Sequence, residues 1–289
     1  MENEKIVRVL LGFLSSISVL ILFSIIVFLF KESLLAWEKV GVINLLLGDK
    51  WSPHEGKFGA LPLIAASIII TLCSIIIAVP LGVGCAIFLA EIAPESIRSL
   101  VRPAIELLAG IPSIVYGLFG LVIIVDLIEI TFSLASGETL LAASIILAIM
   151  ILPIIISISQ DAIERVPSTL REASFSLGST RWQTIRYVVL PSALPGIFAS
   201  IVLAIGRAIG ETMAVVLVIG NVAKLPSSLL DPGEAITSAI LLEMGEAVVG
   251  SLHYSALFAL GCILFFITFI LSLISNYLLE KYDLRYSGK

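Results

Sequence analysis

The run Thr169-Leu170-Arg171-Glu172-Ala173-Ser174-Phe175-Ser176-Leu177-Gly178, continued by Thr180-Arg181-Trp182-Gln183 and closed by Val188-Val189-Leu190-Pro191, carries the densest set of folding signals in the chain. Thr169 and Glu172 stand in the Thr-x-x-Glu arrangement, in which a hydroxyl and a carboxylate satisfy each other's free amides at a helix start. Thr180 and Gln183 repeat it. Gly178 between them suits the left-handed residue that ends a helix. The spacing predicts a helix of about two turns, a glycine corner, and a second short helix stopped at Leu190-Pro191. Such short helices are marginal in water unless they pack against something. Leu170, Ala173 and Leu177 offer a narrow apolar stripe, which either packs beneath the chain's own helix ends or docks onto another protein.

On both sides of this loop, residues 160–191, the sequence is apolar enough to sit in a bilayer. Hydrophobic residues make up 59% of the chain and charged ones 13%, with a mean hydropathy of +1.13, a composition foreign to soluble domains of this size. A hydrocarbon core of about 30 Å takes roughly 20 apolar residues per helix. Six stretches qualify, approximately Val9–Phe30, Leu61–Ala90, Ala104–Val125, Leu140–Ser159, Phe198–Val222 and Ser255–Leu279. The first follows Lys5 and Arg8 as a signal peptide would, but it is longer than a signal core and no small-residue cleavage site follows, so a retained anchor is expected. With both termini cytoplasmic, the inner segments hold Lys5, Arg8, Arg98, Arg102, Arg165, Arg171, Arg181, Arg186, Lys281, Arg285 and Lys289. The outer loops hold only Lys31, Lys39, Lys50, Lys57 and Lys224. That bias sets the orientation.

Arg207, the remaining basic residue, falls inside the fifth stretch together with Glu211. A charge at the bilayer centre costs at least about 2.5–3.5 kcal/mol, so both need a compensating environment. At positions i and i+4 of one helix they can pair. If the stretch is a single helix, Ser200, Arg207, Ala214 and Asn221 share a face with Glu211, a polar or small stripe about 31 Å long. Gly206 and Gly210 permit close approach of another helix. The residues leave two readings open: an ion pair that locks helices together, or an arginine lining a water-accessible cavity that meets an oxyanion, for which its planar fork is suited. In the third stretch Pro112 is expected to kink the helix, and Ser113 and Tyr116 could face the same pathway.

Two further motifs point to a family. Glu172-Ala173-Ser174-x3-Gly178-x9-Val188-x-Leu190-Pro191 resembles the E-A-A-x3-G-x9-I-x-L-P signature of permease subunits in binding-protein-dependent ATP-binding-cassette importers, with Ser for Ala and Val for Ile. Gly206-Arg207-Ala208-Ile209-Gly210-Glu211-Thr212-Met213-Ala214, followed by Gly220-Asn221, resembles the fifth-span motif of phosphate permeases. Phe58-Gly59-Ala60-Leu61-Pro62-Leu63, Phe88-Leu89-Ala90-Glu91-Ile92-Ala93-Pro94 and Gly110-Ile111-Pro112-Ser113-Ile114-Val115-Tyr116-Gly117 are similar to the PstC type rather than the PstA type. The resemblance covers nearly everything from Phe58 onward. It implies an all-α integral membrane protein of six transmembrane helices, with a type I (MetI-like) importer core over residues 58–289 and an extra N-terminal helix and outer loop in residues 1–57. By the same resemblance Arg171, Glu172, Ala173, Ser174 and Gly178 form the coupling helix that docks on the ATPase. Arg207, Glu211, Ser200, Asn221, Ser113 and Tyr116 are the expected substrate pathway.

The implied partners are a homologous PstA-type permease, a dimer of PstB-type ATPases, a PstS-type phosphate-binding protein, phosphate and membrane lipid, with no nucleic acid and a prokaryotic inner membrane as the setting. The chain has no G-x4-G-K-[ST] loop, so ATP is expected on another polypeptide and no cofactor on this one. Neither His54 nor His253 has a ligand cluster at metal spacing, and Cys73, Cys85 and Cys262 lie within spans as small apolar residues. The outer segments sum to a charge of minus six, an acidic mouth that repels an anion and favours delivery by a binding protein; Asp231, Glu234, Glu243 and Glu246 are its candidate contacts. The competing functions are import of sulfate, molybdate or phosphonate, a stand-alone anion channel or carrier, and a membrane-embedded enzyme; the last would need a metal cluster or nucleophile-base pair.

Overall fold

Six helices in the computed structural model are long and apolar enough to cross a membrane. The structure describes the backbone of residues 2–286 and the side chains of Val7 and residues 10–274. Lys5, Arg8, Lys281, Arg285 and Lys289, which enter the orientation argument, lie outside the described side chains. The order is α1 (Glu2–Lys39), α2 (Val42–Leu47), a hairpin of β1 (Trp51–Ser52) and β2 (Lys57–Phe58), α3 (Leu61–Ile92), α4 (Glu95–Ala109) and α5 (Ser113–Phe132). Then come α6 (Leu140–Glu164), α7 (Ser168–Ser176), α8 (Arg181–Ile209), α9 (Met213–Val216), α10 (Ile236–Glu243) and α11 (Leu252–Tyr286).

The most buried span, α6, is the axis of the bundle. Residues with no room for a methyl group let other helices approach it. A Cβ on Gly82 of α3 would meet Ile155 at 2.7 Å, one on Gly120 of α5 would meet Ile146 at 2.6 Å, and one on Gly196 of α8 would meet Ala162 at 2.3 Å. A hydroxyl pair, Ser159 and Ser200 at 2.9 Å, fixes the depth of α8 against α6. α8 therefore runs antiparallel to α6. Arg207, seven residues and about 10 Å beyond Ser200, lies level with the middle of α6.

The loop between α6 and α8 marks one end of the bundle, called here the α7 end; the β-hairpin marks the other. Trp51 and Phe58 of the hairpin pack with Leu45, Ile236, Leu257 and Leu260 in a cluster separate from the α6 core. α1 lies on the outside, held to α11 by Phe28 on Phe258, Phe30 on Phe266 and the Ala36 N–H donated to Ser255 Oγ at 3.0 Å.

The first span runs nine residues past its expected end, to Lys39, and the third and fifth depart furthest from their expected limits. The third is not a kinked helix over Ala104–Val125 but two helices. Proline lacks an N–H and pushes its predecessor out of helical geometry, and Pro112 is extended at ψ 139° and opens α5 afresh. The fifth begins at Arg181 rather than Phe198 and ends at Ile209 rather than Val222. Leu190-Pro191 does not stop a short helix; the wide π-helical turn Ile185–Val189 precedes it, and Pro191 then occupies the first turn of the next segment, where no N–H is needed. The consequence is that the seven-residue stripe is not one helix face. Ser200 and Arg207 belong to α8, Ala214 to α9, and Asn221 to the connection beyond, at φ +50°.

Candidate functional site

The two helix breaks, Gly110-Ile111-Pro112 and Gly210-Glu211-Thr212, face each other. A Cβ on Gly117 of α5 would meet Ala214 Cα at 3.0 Å and Met213 O at 3.2 Å, so α9 lies directly on the first turns of α5. Tyr116 is 93% buried and donates its hydroxyl to Leu108 O across the first break at 2.7 Å.

Arg207 ends α8 with an exposed side chain. Glu211 does not lock it. Its Oε1 accepts the Ala214 N–H at 3.2 Å and its backbone carbonyl accepts the Thr237 hydroxyl at 2.8 Å. No ion pair joins Arg207 and Glu211 among the described residues. The locked-pair reading therefore fails in this conformation, because the helix ends before Glu211 and the i,i+4 geometry is never formed. What remains is an exposed guanidinium in the last turn of α8, level with the middle of α6, where the helix breaks before α9. Such discontinuous helices are the recurrent way to build an ion station within a membrane.

The other pathway candidates are placed differently. Ser200 is fully buried and shared between Ser159 and Ile197 O, a packing contact. Ser113 is half-buried at the start of α5. Asn221 donates to Val216 O at 2.7 Å, while its Oδ1 is buried without a partner. It sits toward the hairpin end, beyond reach of Arg207's helix, and shapes the connection between α9 and α10.

At the α7 end, Gly178 has φ +83° and the Thr180–Gln183 capping box is complete, as expected. The first capping box is absent: α7 starts after Pro167, so Thr169 is already inside the helix. Leu170 is 43% and Leu177 87% exposed, so the apolar stripe does not pack beneath the chain's own helix ends. Glu172 and Ala173 are exposed with it. Ser174 turns inward and shares a hydrogen bond with Thr184 at 2.9 Å. Arg171 also turns inward, onto Glu91 at 2.7 Å. Nothing in the spacing singles out Glu91 as its partner, eighty residues away.

The acidic segment toward the hairpin end is mostly committed. Asp231 caps the Ser227 and Ser228 amides at 2.8 and 2.9 Å, and Glu243 accepts from the Trp51 indole at 2.8 Å and pairs with His253 at 2.7 Å. Glu246 is exposed, and Glu234 is only 6% exposed. Among the described residues no group of three or more ligating side chains could hold a metal. Burial, reinforced by the charge of Glu243, raises the Glu234 carboxyl from 4.5 to about 7. Glu234 lies outside the spans, and its folded state holds a proton that the unfolded chain has lost. Stability therefore falls as pH rises from about 4.5 to about 7 and levels off above. Glu234→Gln should raise the stability of the solubilised chain at pH 8 by up to about 3 kcal/mol and leave it unchanged below pH about 4.5. Thermal unfolding of both proteins across that pH range measures it.

The chain as a whole is similar to known proteins. The chain is 42% identical over 86% of its length to the phosphate transport system permease protein PstC of Mesorhizobium japonicum, covering 83% of that protein. With PstC of Haemophilus influenzae it shares 37% identity over 90% of each chain. Among solved structures, the inward-facing MetNI methionine ABC transporter superposes over 78% of this chain and 94% of that one, with a TM-score of 0.58 at 18% identity, which establishes a shared permease fold. Residues 78–283 match the model of the binding-protein-dependent transport system inner membrane component. With six apolar spans, a paired helix break at mid-depth and an open loop helix at one end, the chain is a multi-pass membrane permease that belongs to the family of binding-protein-dependent transport system inner membrane components.

Proposed function

We propose that this chain is the PstC-type subunit of an ATP-driven importer for inorganic phosphate. The observation that carries the reading is Arg207, exposed and without an ion pair at the end of α8, in a motif that resembles the fifth-span motif of phosphate permeases. A planar guanidinium in a region of low dielectric binds a tetrahedral oxyanion through two donors. Glu211, four residues on in the chain and held by α9, lowers the affinity that a lone arginine would have, which favours release.

The rest of the assembly follows from the same reading. The α7 end is cytoplasmic, with both termini, by the Lys and Arg bias. A homologous PstA-type subunit completes the cavity, PstB-type ATPases receive α7, and a PstS-type binding protein delivers phosphate at the hairpin end. This chain holds no cofactor; ATP belongs to the ATPases, and residues 58–289 act as the permease core to which residues 1–57 add an anchor.

Reconstitution of the four components in liposomes tests the proposal. Uptake of labelled phosphate should require ATP and the binding protein and be unaffected by excess sulfate, molybdate or phosphonate. Uptake by the isolated chain without ATPases would overturn it in favour of a channel or carrier. A second test addresses docking. Glu172→Lys, on the exposed face of α7, should weaken association with the ATPases at least about 30-fold, the effect of losing one interface hot spot. Co-purification at normal stoichiometry would refute that role.

A further inference from the structure

We infer that Glu91 is a positioning residue that makes α7 and the inner ends of α3 and α6 move as one body. The last turn of α3, Phe88–Ile92, is a wide π-helical turn, which leaves carbonyl oxygens outside the usual ladder. Arg98 at the start of α4 takes two of them, Leu89 O and Ala90 O, each at 2.9 Å. Arg181, the first residue of α8, takes the third, the carbonyl of Glu91 itself. The Glu91 carboxylate is then free to face the loop, and its Oε1 accepts Arg171 Nε at 3.1 Å and Nη2 at 2.7 Å. Arg171 continues to Ile163 O at 2.9 Å and to Val166 O, the carbonyls at the end of α6.

One guanidinium thus bridges three elements, and one residue, Glu91, touches α7 through its side chain and α8 through its backbone. The Glu91 and Arg171 side chains are only 11% and 21% exposed, so this charge-assisted contact is partly shielded from water. On either side of Arg171 the surface of α7 is open at Leu170 and Glu172, as is Leu177 just past its end. α7 therefore has a face free to receive a push and a face gripped by the bundle. Arg171, which the sequence places among the ATPase contacts, serves on the gripped face.

The inference rests on the ATP-driven importer reading, and its test separates the two. In the reconstituted importer, Glu91→Gln keeps the side-chain shape and removes the charge. Phosphate moved per ATP hydrolysed should fall at least about tenfold, while ATPase association and hydrolysis stay within about twofold of wild type, a coupling loss of the usual size between sites. A second variant guards against misfolding. With Cys73, Cys85 and Cys262 replaced by Ala, Glu91→Cys with Arg171→Cys should be equally uncoupled, and a short bifunctional thiol reagent joining the two should restore the ratio to within about threefold of wild type. A normal transport ratio in Glu91→Gln overturns the inference, as does loss of the ATPases from the folded variant, or a linked pair that stays uncoupled. If the wild-type assembly hydrolyses ATP without moving phosphate, the importer reading fails instead.

Discussion

Replacing Arg207 by Gln lowers phosphate uptake by the reconstituted importer at least about 30-fold, the smallest loss expected when one partner of a desolvated, hydrogen-bonded charge pair is truncated. The reason lies in what surrounds the guanidinium. It is not spent on Glu211, whose carboxylate serves the Ala214 amide, so the substitution frees no buried carboxylate to disturb the fold. The loss falls on the anion alone. ATPase association and the thermal transition stay near wild type, because α7 and the Glu91 contacts are far along α8 from this end. Arg207→Lys retains the charge but not the fork, and falls between the two. Labelled phosphate uptake in liposomes, run beside ATPase co-purification, checks the result; unchanged uptake by Arg207→Gln removes this residue from the pathway.

Gly117→Ala gives the second large effect, this time through packing. The added Cβ would lie 2.8 Å from Leu217 Cδ1, 3.0 Å from Ala214 Cα and 3.2 Å from Met213 O. The leucine can rotate, but two of the three obstacles belong to the backbone of α9. Overpacking of this kind costs about 1–3 kcal/mol. It is relieved by pushing α9 off α5, which shifts the break that follows Arg207 at the end of α8. Uptake should drop at least about tenfold, the equivalent of roughly 1.4 kcal/mol, with a lower thermal transition. Gly84→Ala on α3 is the control, since nothing lies within 4 Å of its Cβ. Equal behaviour of the two variants in unfolding and uptake would show that the α5–α9 contact does not shape the site.

The parts of this molecule that were readable from sequence are those governed by short-range rules. Six spans follow from run length, Gly178 from its place after an apolar turn, and the Thr180–Gln183 box from spacing. The failures arise where a long-range contact or an unusual turn overrides a local signal. Thr169 had the letters of a helix start, yet Pro167, two residues earlier, begins the helix first. Leu190-Pro191 had the letters of a stop, but a π-helical turn absorbed it. The Arg207–Glu211 pairing assumed a helix that continues through Glu211, whereas it ends at Ile209; Gly210 and the docking of α9 on Gly117 lie at that end, and neither is a periodic feature. Arg171 and Glu91 are eighty residues apart, and only the fold brings them together. His253, solitary in sequence, finds Glu243 in the same way.

The seat of α1 has a consequence for how the protein is made. Its contacts reach across most of the chain, from Ser33 to Cys262 and from Ala36 to Ser255, so its packing partner is synthesised more than two hundred residues later. Until α11 emerges, the face of α1 that it covers lacks this partner, and loop-closure entropy over more than two hundred residues opposes the docking. Docking of α1 thus waits on α11, and this outer flank of the bundle forms only after the spans between the two helices have been made.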